Sequence, residues 1–346
     1  MLLVLISHWL FGLPYVENLR LGSIGVDFFF VISGFLISLQ LFNFKNAVEN
    51  KQETFGRALF VFYARRILRI FPLYYLIVII SAIFNSGEIR EALLWNLAYA
   101  SNFYFIKLQY WPGIFSHFWS LSVEEHFYLV WPFIVLFINK KYFPHVFTFV
   151  ILFSVLFRYA VFNGNPNYFV LNVHTFSCLD LFMLGGFVAF LFEYKKELFL
   201  KMFTNVNYRF ATFFSFALLY FIWIIKSDWG SFNWIYQRFL FGVIYASLIG
   251  FLASGRGFGK LFENKFLSHL GKLSYAIYLI HNFVPGILLP IKEFNLPFYI
   301  EFIIYLFVTL VISEILYRLV EKPIRNLNKN FKLKTELGNP ESKINS

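Results

Sequence analysis

Residues 21–42 read LGSIGVDFFFVISGFLISLQLF, a run with a single charged position, Asp27. As a helix rising about 1.5 Å per residue, it reaches roughly 33 Å, enough for the ~30 Å hydrocarbon core of a bilayer. The stretch therefore predicts a membrane-spanning helix. The whole composition agrees: 59% of the 346 residues are hydrophobic and 14% charged, against usual shares of about 45–50% and about 25%. Further apolar runs lie at 2–16, 67–84, 118–138, 143–162, 175–192, 210–225, 234–253, 273–291 and 298–319. The expected fold is an all-α polytopic membrane protein. It is a bundle of about ten transmembrane helices over 1–327, followed by a polar, disordered cytoplasmic tail at 328–346.

Charge orients the bundle. With the first helix starting in the cytoplasm, 23 of the 30 lysines and arginines fall on inner segments and five on outer ones, with Arg158 and Arg238 inside spans. This bias puts both termini in the cytoplasm of a multi-pass inner-membrane protein. The net charge of +11 then labels the inner face, and no nucleic-acid partner is expected. Cys178 is the sole cysteine, which excludes an internal disulfide or a multi-thiolate zinc site. His117, His126 and His174 have no metal-ligand spacing, so no metal is expected. The run after Met1 lacks the basic flank of a signal peptide or an inside-anchored helix, and residues upstream of it are expected. Segment 85–116 is the longest outer connection, and its WNLAYASNFYF stretch is expected to dip into the interface.

An ionisable side chain at the bilayer centre costs about 2.5–3.5 kcal/mol on insertion scales, so each one is a functional candidate. His8, Asp27, Glu124 and His281 are such residues, and Ser33 lies on the span that carries Asp27. The orientation places His8 and His281 near mid-depth. Asp27 and Glu124 fall about six residues, roughly 9 Å, below the outer surface. All four are expected to meet in the outer half of the bundle. Glu124 is preferred to Glu125 because neighbouring helical residues point about 100° apart. Each candidate also has a structural reading: interhelical hydrogen bonds for the histidines, a salt bridge for Glu124, a helix cap for Asp27. On the inner side, Arg65, Arg66 and Arg69 recur at helical spacings of three and four. Guanidinium forks grip phosphate oxygens in pairs, so the three suit a phosphorylated ligand, although positive-inside anchoring also accounts for them.

Five motifs occur in a fixed order: GVDFFFVISGFLI, ARRILRIFPLYYL, HFWSLSVEEHFYLVWP, LSYAIYLIH and VEKPIRNL. In this the chain resembles the acyltransferase 3 family of integral membrane O-acyltransferases, over nearly its whole length from about His8 to Asn326. The resemblance implies transfer of an acyl group, usually acetyl from cytoplasmic acetyl-CoA, to an extracytoplasmic glycan or lipid-linked saccharide. Lipopolysaccharide, exopolysaccharide and peptidoglycan are such acceptors. It implies that His8 is catalytic, that Arg65, Arg66 and Arg69 bind acyl-CoA, that Glu124 is the acid of the WSLxxE motif and that Ser33 and Gly34 are its SG pair. The family's basic residue about eleven positions before the histidine would precede Met1. The expected activity is O-acetyl transfer to a surface glycan of lipopolysaccharide or exopolysaccharide type. His8 acts as general base or acyl carrier, and Glu124 or Asp27 orients it. The alternative is a transporter or flippase using the intramembrane His and Glu as a proton relay.

Overall fold

The computed structural model describes residues 1–84, 87–225, 231–255 and 264–327, together with Phe331 and Leu333. The rest of the expected tail at 328–346 lies outside the described residues. Among the described residues the only regular elements are helices. The principal ones are α1 (Leu2–Trp9), α2 (Leu21–Glu49), α3 (Phe55–Phe84), α4 (Phe118–Phe137), α5 (Phe143–Gly164), α6 (Thr175–Tyr194), α7 (Val206–Ile225), α8 (Gln237–Ala253), α9 (Lys265–Ile280) and α10 (Phe298–Leu316). Five helical segments among the described residues are long and apolar enough to cross a bilayer: Leu21–Glu49, Phe55–Phe84, Lys140–Gly164, Tyr168–Tyr194 and Phe298–Leu327. Pro72 lies inside α3 without ending it.

Two expected spans are broken. The run at 2–16 stops as a helix at Trp9, passes Gly12 at φ +99°, and resumes at Pro14–Leu19. A φ in that region suits glycine, and proline favours a helix start over a helix middle. The run at 273–291 ends its helix at Ile280, turns through His281–Phe283, and re-forms as the short Val284–Ile287 helix with Pro285 in its first turn and a 3-10 helix at Leu289–Phe294. His8 and His281 therefore both lie at the C-terminal ends of interrupted helices.

The core is organised by the close crossing of α2 and α6. A methyl group at Gly34 would lie 2.1 Å from the Phe182 carbonyl oxygen, and one at Gly185 would lie 2.0 Å from that of Val31. Small residues let backbones approach where lipid supplies no hydrophobic drive for association. Beside the crossing, Phe182 stacks on Phe127, and Phe127 on Trp131.

Two charge pairs lock neighbouring helices. Arg158 of α5 meets Asp180 of α6 at 2.7 Å, with both side chains at most 1% exposed. Arg238 of α8 meets Asp27 of α2 at 3.2 Å. The pairs lie within electrostatic reach of each other. Arg158 also donates to the carbonyls of Ser177 and Ile235. A buried charge is tolerable only when paired and hydrogen-bonded in this way.

The connection between α3 and α4 folds back into the bundle. Asn96, Ser101, Asn102 and Phe105 are fully buried, and the Ser101 hydroxyl lies 2.7 Å from that of Ser122 on α4.

Candidate active site

A cavity of about 310 Å³ opens between α2, α3, α4 and α9. Its α4 wall carries Ser120, Glu124 and Tyr128, four residues apart and so on one face over about 12 Å. Ser33, next to the Gly34 crossing, donates to Glu124 Oε1 at 2.8 Å, and the Tyr128 hydroxyl donates to Oε2 at 3.2 Å. The Ser-Gly pair thus divides its work: glycine permits the helix contact and serine reaches the acid.

Arg66 and Arg69 line the same cavity. Arg66 donates to Gln40 Oε1 at 3.0 Å and lies over the rings of Tyr128 and Phe62. Arg69 makes no hydrogen bond or ion pair among the described residues. Arg65 departs from the expected cluster: its Nε donates to the Phe331 carbonyl at 2.8 Å and its guanidinium lies over Phe44. Residues 65 and 66 are about 100° apart on the helix. A cavity on the Arg66 side therefore takes Arg69 and leaves Arg65 outside.

At the far end of the cavity, Tyr278 hydrogen-bonds to Ser120 and donates to the His117 carbonyl at 3.1 Å. Behind it stand three imidazoles. His281 lies edge-on to His8, with centroids 5.1 Å apart, and to His117 at 4.7 Å. The carbonyl partners fix two tautomers. His281 Nδ1 donates to the Tyr278 carbonyl at 2.6 Å and His117 Nε2 to that of Leu279 at 3.1 Å. His281 Nε2 is buried without a partner among the described residues. Asn282 stands beside the His8 ring while its Nδ2 donates to Ser116 Oγ at 3.2 Å, and Trp9 Nε1 donates to the His281 carbonyl at 2.9 Å. The ends of α1 and α9 are thus clasped together.

The expected meeting of four residues is only half realised. His8 and His281 come together. Glu124 stands one layer away, beyond Ser120 and Tyr278, and Asp27 is held by Arg238. Neither carboxylate orients an imidazole; backbone carbonyls hold His281 and His117. Asp27 lies a turn and a half inside α2 and caps nothing.

Glu125 lines the cavity as Glu124 does, against the preference drawn from their divergence, because the cavity is wide enough to admit both. The spacing of Ser120, Glu124 and Tyr128 was a readable signal in the sequence. His117, Tyr278 and Asn282 gave none, since their roles depend on which helices abut.

The acyltransferase 3 family, defined by an acyltransferase domain, matches residues 1–318. The chain belongs to this family. Among relatives of this acyltransferase 3 protein, YrhL of Bacillus subtilis strain 168 is 28% identical over 88% of the chain and 50% of its own length; its name assigns it provisionally to peptidoglycan O-acetylation. The O-acetyltransferase OatA of Staphylococcus aureus strain NCTC 8325 / PS 47 is 27% identical over 94% of the chain and 54% of its own length. SACOL0978 of Staphylococcus aureus strain COL, provisionally named an O-acetyltransferase, is 28% identical over 88% and 53%. The chain spans about half the length of these curated relatives. No solved structure matches it significantly.

Proposed function

We propose that this acyltransferase 3 protein is an O-acetyltransferase of the cytoplasmic membrane, moving an acetyl group from cytoplasmic acyl-CoA to a hydroxyl of an extracytoplasmic glycan. The provisional assignment of YrhL favours a peptidoglycan-type acceptor over the lipopolysaccharide type expected from the sequence. The observation that carries the reading is one polar path: Arg66 and Arg69 on the cavity wall, then Glu124, then Ser120 and Tyr278, backed by the His281–His8 pair.

In this reading both termini are cytoplasmic. The acyl-CoA phosphates meet Arg69 and Arg66, and the arm runs along α4 towards Tyr278. The glycan hydroxyl oxygen attacks the thioester carbonyl and the C–S bond breaks. The hydroxyl proton passes by way of His8 to the departing thiolate, which leaves as the CoA thiol; in the two-step version His8 carries the acyl group in between. The His281 ring, edge-on to His8, sets the His8 ring. Asp27 serves the ion-pair lattice.

The test is CoA release from labelled acetyl-CoA by detergent-purified protein with and without soluble glycan-strand fragments. Release should depend on the acceptor and fall by about 10²–10⁴-fold in His8→Ala, the usual contribution of a general base. Acceptor-independent release, or full activity in a folded His8→Ala protein, refutes the assignment.

A further inference from the structure

The cavity wall separates into polar groups already engaged by protein and groups that are not. The hydroxyls of Ser33, Tyr128, Tyr278 and Ser120 are committed as described above; Ser274 donates to the Gly271 carbonyl and Tyr275 to that of Ile70, each at 2.8 Å. Arg66 is held by Gln40. Two charged groups on the wall make no hydrogen bond or ion pair among the described residues, Arg69 and Glu125. Glu124 and Arg66 act on Glu125 electrostatically, with no hydrogen bond or ion pair from either among the described residues. A carboxylate facing a largely apolar cavity without a hydrogen bond is costly. A ligand that supplies an N–H or O–H removes that cost, and one that also bears an anionic group satisfies Arg69.

We infer that Glu125 is a donor-binding residue, its carboxylate accepting a hydrogen bond from an amide N–H or hydroxyl on the arm that joins the phosphates of the acyl thioester to its sulfur. This rests on the proposed acyl-CoA reading and extends it, because it assigns the second acid of the VEE sequence to recognition of the arm. Glu124 already accepts from Ser33 and Tyr128, one on each oxygen, whereas both oxygens of Glu125 are without a hydrogen bond among the described residues. The register along α4 also fits: Glu125 lies between Ser120, at the Tyr278 end, and Tyr128, over whose ring the Arg66 guanidinium sits, so an arm anchored at Arg66 and reacting near Tyr278 passes it.

Full-length protein in detergent is assayed with two donors, acetyl-CoA and S-phenyl thioacetate, a thioester with neither amide nor arm hydroxyl. A charge-assisted hydrogen bond lost to Glu125→Gln should raise the KM for acetyl-CoA about tenfold or more. The rise should exceed any change for S-phenyl thioacetate by a similar factor, with kcat falling less than KM rises, the mark of lost uniform binding. Glu125→Asp, which keeps the carboxylate, should recover part of the loss. An unchanged KM, an equal rise for both donors, or a collapse of kcat with KM intact overturns the inference and leaves the proposed function standing. Wild-type protein that releases no CoA from acetyl-CoA overturns both. If Glu125→Gln does not fold, Glu125→Asp and equilibrium CoA binding by calorimetry decide: binding as tight as wild type overturns the inference, and weakening of several-fold supports it.

Discussion

Replacing Gly34 with alanine adds one methyl group at the close backbone crossing of α2 and α6. That carbon would stand 2.1 Å from the Phe182 carbonyl oxygen and 2.7 Å from its Cα, whereas ordinary contact begins at 3.4 Å. One helix must therefore retreat by about 1.3 Å, and because the obstacle is backbone, no rotamer change relieves it. Ser33 travels with α2, and a displacement of this size stretches its 2.8 Å bond to Glu124 beyond hydrogen-bonding range. Overpacking costs about 1–3 kcal/mol, and a misplacement of about 1 Å near a reacting centre costs on the order of 10²-fold in rate. Gly34→Ala should thus lower the thermal midpoint measured by size-exclusion in detergent. Its acceptor-dependent CoA release, normalised to folded protein, should drop about a hundredfold. Gly185→Ala meets the Val31 carbonyl oxygen at 2.0 Å and should act alike from the opposite helix. Gly56→Ala meets nothing within 4 Å and serves as control. If Gly34→Ala matched the control in both stability and rate, the close crossing would not be what positions Ser33.

Other outcomes follow from the same contacts. Asp180→Asn leaves the Arg158 guanidinium buried and uncompensated, which should cost about 3–5 kcal/mol in a denaturant titration. The double replacement Arg158→Met with Asp180→Leu should recover most of it, since apolar residues of similar volume substitute well for a buried pair. Arg69→Ala should raise the acyl-CoA KM about tenfold, measured by initial rates, with Arg65→Ala affecting it much less because Arg65 is tied to Phe331. Tyr278→Phe removes the hydrogen bonds to Ser120 and the His117 carbonyl. At about 1 kcal/mol for a neutral bond, it should slow turnover several-fold while leaving the acyl-CoA KM near wild type.

Much of the helix plan was legible because a span needs a long apolar run and little else. The helices beginning at Leu21 and Phe298 start where the hydropathy places them. The breaks at Gly12 and after Ile280 were less visible, since proline and glycine within an apolar run end one helix and are absorbed by another, as Pro72 is in α3. Within the site, the three-and-four spacing brought Arg66 and Arg69 together correctly but misplaced Arg65. Angular position along one helix says nothing about where the neighbouring helix leaves a gap.

The sequence by itself determined that the chain is helical, with apolar runs long enough to cross a membrane and acidic and imidazole groups within apolar runs, and its ordered motifs pointed to acyltransferase 3. Apolarity and spacing act locally along the chain, so they survive in one dimension. Only the tertiary structure decided that Asp27 belongs to Arg238, that His8 faces His281, and that Glu125 shares a cavity with Arg69. Those outcomes depend on which helices touch and how closely. The glycine crossing of α2 and α6 sets that distance, and each intramembrane charge then takes whichever partner the packing leaves within reach.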